Sequence, residues 1–287
     1  MSFLDRIRAC NAHDLSGFRR FELDGQAVGW IRHALAEDLA AALPGFIATP
    51  QRLTMAPDIR DFAARSALLD RAARRLVEQG VIDPLRGERY PVGTGWGVPP
   101  LAQLDRAAVA VFGTESYGLH VNGFVRGEDG GLSLWIGTRA RDRAIAPGEY
   151  DNMVAGGQPI GLSLADNLLK EAQEEAGLDA ALVRRAVPVG ALRYCLETPA
   201  GLKRDWLFLY DLELPRDVVP VNTDGEVESF ALWPVERVAD SVRTTRSWKF
   251  NVNLVIVDFL IRHGCLTPDN EPDYLAIIDA LRPPPPA

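Results

Sequence analysis

The sequence predicts a mixed α/β (α+β) protein, a mixed sheet covered by helices and preceded by a small α/β unit. Three observations lead there. Apolar stretches of strand length alternate with amphipathic stretches of helix length along the 287 residues. The composition, 47% hydrophobic and 24% charged with 25 Gly and 20 Pro, excludes a coiled coil, a collagen-like chain or a mostly disordered one. A Gly- and Pro-rich stretch, PVGTGWGVPP at 91–100, interrupts the pattern as a loop or domain boundary. We place the boundary near residue 110. Residues 1–110 then form an N-terminal α/β accessory domain, and 111–287 the main domain with a C-terminal helical extension.

In chain order, 18–23 is apolar and extended, Asp24-Gly25 is a turn dipeptide, and 28–31 is a short strand. Residues 34–43 read as a helix ended by Pro44-Gly45. Over 58–80, Ile59, Phe62, Ala63, Leu69, Ala73, Leu76 and Val77 recur at helical spacings, and Gly80 stands where a C-cap belongs. Two strands, 117–126 and 132–139, flank the turn-forming GEDGG at 127–131. A glycine-rich loop and a helix at 163–176 come next. Strands follow around 187–195, 206–213 and 230–234, and 254–263 opens a helical region. The proline run 283–286 lacks backbone donors and is expected to leave the fold as an extended tail.

Acidic residues outnumber basic ones, 39 to 31, for a net charge of −8, which argues against a nucleic-acid partner. No apolar run approaches the roughly 18 residues of a membrane span. The opening MSFLDRIRAC lacks the apolar stretch of a secretory signal. Cys10, Cys195 and Cys265 are widely spaced and make no disulfide framework, which suits a reducing compartment. A cytoplasmic location is therefore expected. None of these features sets the oligomeric state.

The segment that carries chemistry is the loop GGQPIGLS at 156–163 followed by LADNLLKEAQEEAGL at 164–178. Ser163 and Asp166 approximate a capping box, and Gly177 is a natural C-cap. At 100° per residue, Ala165, Leu168, Leu169, Ala172 and Ala176 share one core-facing arc. Glu171, Glu174 and Glu175 share the adjacent arc, at spacings that put neighbouring Cβ atoms about 5–6 Å apart. Three carboxylates so placed repel one another. A hard divalent cation, Mg²⁺ or Mn²⁺, reverses that sign. An isolated EAQEE is also how a solvated acidic helix face reads, but Gly156 and Gly157 beside it let backbone N–H groups approach an anion.

This segment resembles the Nudix box. Gly156 matches its first glycine, and Glu171, Glu174, Glu175, Gly177 and Leu178 match its end. Leu162 stands where the family has Glu, and Lys170 where it has Arg, two positions that help hold the loop–helix geometry. Lys170 is still placed to pair with Asp166. The resemblance implies a Nudix α/β/α sandwich with a mixed sheet. It extends through FELDGQAVGWIR (21–32), YGLHVNGFV (117–125), YDNMVAGGQPIG (150–161), LFLYDLELP (207–215), DGEVESFALWPVERV (224–238) and DFLIRHGCLTPDNEPDY (258–274). These are similar to a Nudix branch with an extra N-terminal domain, in some relatives fused to thiamine pyrophosphokinase. That branch implies hydrolysis of thiamine diphosphate and its oxidised oxo and oxy forms to the monophosphate and phosphate.

On this reading Glu171, Glu174 and Glu175 hold Mg²⁺ or Mn²⁺, and Glu174 or Glu226 is the general base. Glu228 would share a face with Glu226 if that stretch is extended. Gly156 and Gly157 are candidates for contact with a small-molecule diphosphate. So are His120 and Asn122, on one face of their strand, and Arg139, at the end of the next with Arg141 and Arg143 nearby. Trp96, Tyr117, Tyr194 and Trp206 could offer a ring platform, whereas Cys195 and Cys265 read as buried apolar residues. Two alternatives stand beside it. One is a Nudix pyrophosphatase acting on another nucleoside diphosphate derivative such as ADP-ribose. The other is a non-catalytic Nudix ligand-binding module.

Overall fold

The computed structural model describes residues 2–284, so the expected proline tail lies partly outside the described residues. The chain opens with α1 (Phe3–Ala9), capped by Ser2. A hairpin follows, β1 (Phe18–Leu23) and β2 (Gln26–Arg32), then α2 (His33–Ala42), β3 (Phe46–Ala48) and β4 (Arg52–Met55). These strands form a sheet in the order β2-β1-β4-β3, with β1 and β4 parallel. Across it lies α3 (Phe62–Glu78). The buried stripe of α3 is Leu68, Leu69, Ala72, Ala73 and Leu76, whereas Phe62 and Ala63, expected inside, are exposed at its first turn. Asp61 caps α3 through the Ala64 N–H, so the helix starts three residues later than Ile59.

The Gly/Pro stretch at 91–100 is the connection of a second hairpin, β5 (Arg89–Val92) with β6 (Ala102–Asp105). A short helix, α4 (Val109–Phe112), leads into the second sheet. Its strands are β7 (Glu115–Arg126), β8 (Leu132–Arg139), β9 (Tyr150–Asp151), β10 (Val154–Gly157), and, after helices α5 (Leu164–Ala176) and α6 (Ala180–Val183), β11 (Val187–Thr198), β12 (Gly201–Glu213) and β13 (Val227–Pro234). The order is β11-β12-β7-β8-β13, and β12–β7 is its parallel pair. The chain ends with α7 (Val235–Thr244), α8 (Val252–Arg262) and α9 (Tyr274–Leu281).

The alternation of β7 sorts two cores. Leu119, Val121 and Val125 face α5 with Leu168, Ala172 and Ala176. Phe124 faces the opposite layer, where α8 packs with α1, α7 and α9. Helix α1 thus buries Phe3, Leu4 and Ile7 among C-terminal elements although it begins the chain. The third core fills the N-terminal sheet and α3. The feature that positions the site is a split in the second sheet. The end of β7 pairs with β8 at Phe124–Leu134, but its beginning pairs with β10 at Val121–Val154 through Gly118–Gly157. The outer edge of β10 is therefore open, and α5 lies against it.

Candidate active site

The site is built by β10, the loop after it and α5. Ser163 accepts the Asp166 N–H at 3.1 Å and donates to the Asp166 carboxylate at 2.6 Å. Such a cap contributes about 1 kcal/mol. Gly177 closes the helix with φ of +63°, a left-handed conformation that suits glycine. The polar residue that fastens the loop escaped the sequence reading. Asn167 is fully buried and donates to the Gly157 carbonyl at 2.7 Å and to Gln158 Oε1 at 3.0 Å. Gln158 in turn donates to the Leu162 carbonyl at 2.6 Å. Asn167 thus occupies the inward arc, and Ala165, expected there, is exposed. These amides fasten the loop to the helix, the task the family resemblance gives to the residues that Leu162 and Lys170 replace.

The three glutamates sit at three depths. Glu175 is buried, 7% exposed, and accepts the Ala155 N–H from the open edge of β10 at 2.8 Å. Burial above all, and then the Glu171 and Asp151 carboxylates, push its pKa well above the usual range, against the pull of that N–H and of Lys249. The side chain of Glu171 is 13% exposed and lies on Gly156, where an added Cβ would stand 2.7 Å from Glu171 Oε2. Only glycine admits that approach. Burial raises the Glu171 carboxyl as well, with Lys170 opposing. The Glu174 side chain is 47% exposed. Lys170 binds Glu174 at 2.6 Å and Glu171 at 3.0 Å rather than the expected Asp166, whose short side chain is occupied by Ser163. Among the described residues, no three His, Cys, Asp or Glu side chains form a ready-made metal cluster. The donor set nonetheless suits a hard cation. Beyond burial, the Glu171 carboxylate raises the pKa of the buried Glu175 at an open strand edge, Glu174 and Glu88 raise that of Glu171, and the neighbouring ammonium marks where positive charge is favoured.

The loop before β13 reaches this helix. Thr223 donates its hydroxyl to the Glu174 carbonyl at 2.7 Å, and the Val221 N–H donates to the Ala176 carbonyl at 2.9 Å. Glu226 follows, half-exposed and paired with Arg143 at 2.8 Å. Glu228 pairs instead with Arg141 at 3.5 Å, and a bulge between Val227 and Ser229 breaks the simple alternation expected of the two acids.

Three expected ligand contacts are corrected. His120 and Asn122 are 4% and 1% exposed and face the helical layer, not a cleft. His120 Nδ1 meets Asn152 Oδ1 at 2.8 Å, Asn152 donates to Asn122 at 2.9 Å, and Asn122 donates to Asp211 at 3.0 Å. Burial, then Lys249, lowers the His120 pKa to about 4, so the ring is neutral. Arg139 is occupied by Asp151 at 2.9 Å and by the Ile145 carbonyl at 3.1 Å. Burial alone would raise the Asp151 carboxyl, but Lys249, His120 and Arg139 outweigh it and hold it below the ordinary range.

The aromatic residues separate. Trp96 is 49% exposed and lies over Tyr117 and Phe208, with ring centroids 4.9 and 4.7 Å away. Tyr194 is buried and donates to Asp205, and Arg193 covers the Trp206 ring at 5.1 Å. Cys195 is buried as expected, whereas Cys265 is only half-buried.

Known proteins extend these observations. A family model described as "Domain of unknown function (DUF4743)" matches residues 2–116. The chain is 40% identical over 293 residues to "Nudix hydrolase 20, chloroplastic" of Arabidopsis thaliana, covering 98% of this chain and 77% of that one. It is 39% identical to "Nudix hydrolase 24, chloroplastic" of the same plant, with the same coverage. Among solved structures, DR0079 from Deinococcus radiodurans superposes with a TM-score of 0.46 at 19% identity, covering 60% of this chain and 98% of that one. The names of the plant relatives overturn the cytoplasmic expectation, because lack of a recognisable address specifies no compartment. No helix among the described residues is long and apolar enough to cross a membrane. Similarity at this level spans nearly the whole chain and makes it a Nudix hydrolase, a member of that enzyme family.

Proposed function

We propose that this Nudix hydrolase is a Mg²⁺- or Mn²⁺-dependent diphosphatase acting on small organic diphosphates. Thiamine diphosphate and its oxidised forms are the first substrate class. One observation carries the reading: Glu175, buried, and Glu171, largely buried over Gly156, both have carboxyl pKa values raised chiefly by burial at the open edge of β10. Burying like charges together is costly unless a cation joins them. The thiamine assignment draws its support from the branch-like segments spread along the chain.

In this account Glu171, Glu174 and Glu175 hold the cation, and Gly156 and Gly157, whose missing Cβ atoms make room for the Glu171 side chain and the Tyr90 hydroxyl, border the diphosphate. Such a cation supplies charge neutralisation for the diphosphate oxygens and a more acidic water. Lys170 keeps Glu171 and Glu174 together until the cation arrives. Glu226 takes the proton from the attacking water. It comes from a separate element, which leaves the helix trio for the cation, and a coordinating carboxylate is the poorer base. Residues 1–110 act as an accessory domain to the catalytic part, 111–287.

The test offers purified protein thiamine diphosphate, oxothiamine diphosphate and ADP-ribose with Mg²⁺ and measures phosphate and monophosphate. Release of phosphate and thiamine monophosphate supports the reading. Cleavage of ADP-ribose alone would move the substrate class, and tight binding without turnover would make the protein a sensor.

A further inference from the structure

The N-terminal part of the chain touches the glycine loop. The Ile160 N–H donates to the Arg89 carbonyl of β5 at 2.8 Å. Tyr90, 3% exposed, presses its hydroxyl against Gly157 so closely that any Cβ there would overlap it. Arg106 stands in the same place. Its Cζ would be 3.5 Å from a Gly157 Cβ, and it lies 5.9 Å from the Tyr90 ring centroid.

Its backbone is held rigidly. The Arg106 N–H donates to the Glu88 carbonyl at 2.9 Å. The buried Asp105 carboxylate accepts the N–H groups of Gly87 at 2.8 Å and Ala107 at 3.0 Å. The side chain is 44% exposed, and its guanidinium uses one nitrogen on Glu88 at 2.8 Å. Its other donors remain for a ligand, and it feels the negative field of Glu226. Arg139 is the cation that the family resemblance favours, but its charge is spent on Asp151.

We propose that Arg106, presented from the N-terminal part of the chain, binds a phosphate group of the diphosphate substrate at the Gly156-Gly157 loop. A planar guanidinium fork suits two phosphoryl oxygens. The inference rests on the diphosphatase reading above and gives the N-terminal part a share in the site.

Methylenediphosphonate, a non-hydrolysable diphosphate, tests it by calorimetry on the full chain with Mg²⁺. Arg106→Gln should weaken binding at least about tenfold and Arg106→Lys less, in line with a lost charge-assisted fork. In turnover, Arg106→Gln should raise KM by a similar factor and leave kcat within about threefold, as expected where ground-state binding is lost. Arg126→Gln, a similarly exposed arginine, should change neither. Glu88→Gln separates a ligand contact from a structural pin, because it should bind as well as wild type or better. Equal binding by wild type and Arg106→Gln, no binding by wild type, or equal losses in Glu88→Gln and Arg106→Gln would overturn the proposal. A wild type that binds but cleaves no diphosphate would sink the diphosphatase reading and leave this one standing.

Discussion

Two polar clusters border β10 and β7, and they differ in one respect. Around His120, every charge is answered. Asp211 accepts from Asn122, from both ends of the Arg262 guanidinium and from His263, and Asp258 is answered by Arg262 and Arg282. At the β10 edge the charges are not balanced. Glu171, Glu174 and Glu175 share Lys170 and one backbone N–H, with Lys249 acting on Glu175 from a distance. The first cluster is finished by folding. The second is left in deficit of positive charge, which is the condition for taking up a cation.

The sharpest break between the two is the removal of one carboxylate from each. Glu175→Gln keeps an acceptor for the Ala155 N–H but removes the carboxylate. Turnover should fall by at least about 100-fold while the melting temperature holds or rises, because a buried like-charge contact is relieved. Steady-state kinetics beside a thermal melt checks this, and a normal rate would equate the two clusters. Asp211→Ala should do the reverse. It leaves Asn122 and His263 without their acceptor and the Arg262 guanidinium with Asp258 alone, and costs about 3 kcal/mol of stability, with the rate per folded molecule retained. Urea unfolding measures it, and a loss below about 1 kcal/mol would mean the network is not holding the fold.

A smaller effect is expected where the loop is tied down. Asn167→Ala frees the Gly157 carbonyl and should lower kcat/KM about tenfold through lost positioning. It should cost about 1–2 kcal/mol of stability. An unchanged kcat/KM would show that the loop is held by other groups. The smallest effect is on pH. Burial alone would raise the Asp211 carboxyl, but His263, Arg262 and Asn122 outweigh it and hold it below its usual value. It therefore stabilises the fold above the unfolded pKa of about 3.9, and that contribution is lost as pH falls through the lower folded value. Asp211→Asn should flatten the acid limb of the stability curve, and a limb as steep as wild type would contradict the linkage.

The two clusters also mark how far the sequence could be read. The glutamate helix was legible because its spacing, cap and closing glycine are all local. So were the strands at 117–126 and 132–139. The fate of His120 and Asn122 was not legible, since the alternation that placed them on one face cannot say what covers it. The cover is α8, more than a hundred residues later. Asn167 was missed because a polar residue in a helix reads as solvated, and its partners lie on a loop whose path depends on tertiary contacts. Arg106 gave no signal at all. Only the docking of β5 and β6 on the glycine loop brings it there.

The claim beneath the rest is that the β10 edge takes up a divalent cation. Electron paramagnetic resonance of Mn²⁺ titrated into the full chain with methylenediphosphonate tests it most directly. The account predicts bound Mn²⁺ in wild type and in Asp211→Asn, and loss of that signal in the Glu171→Gln, Glu175→Gln double variant. Equal Mn²⁺ binding by the double variant, or none by wild type, would contradict it.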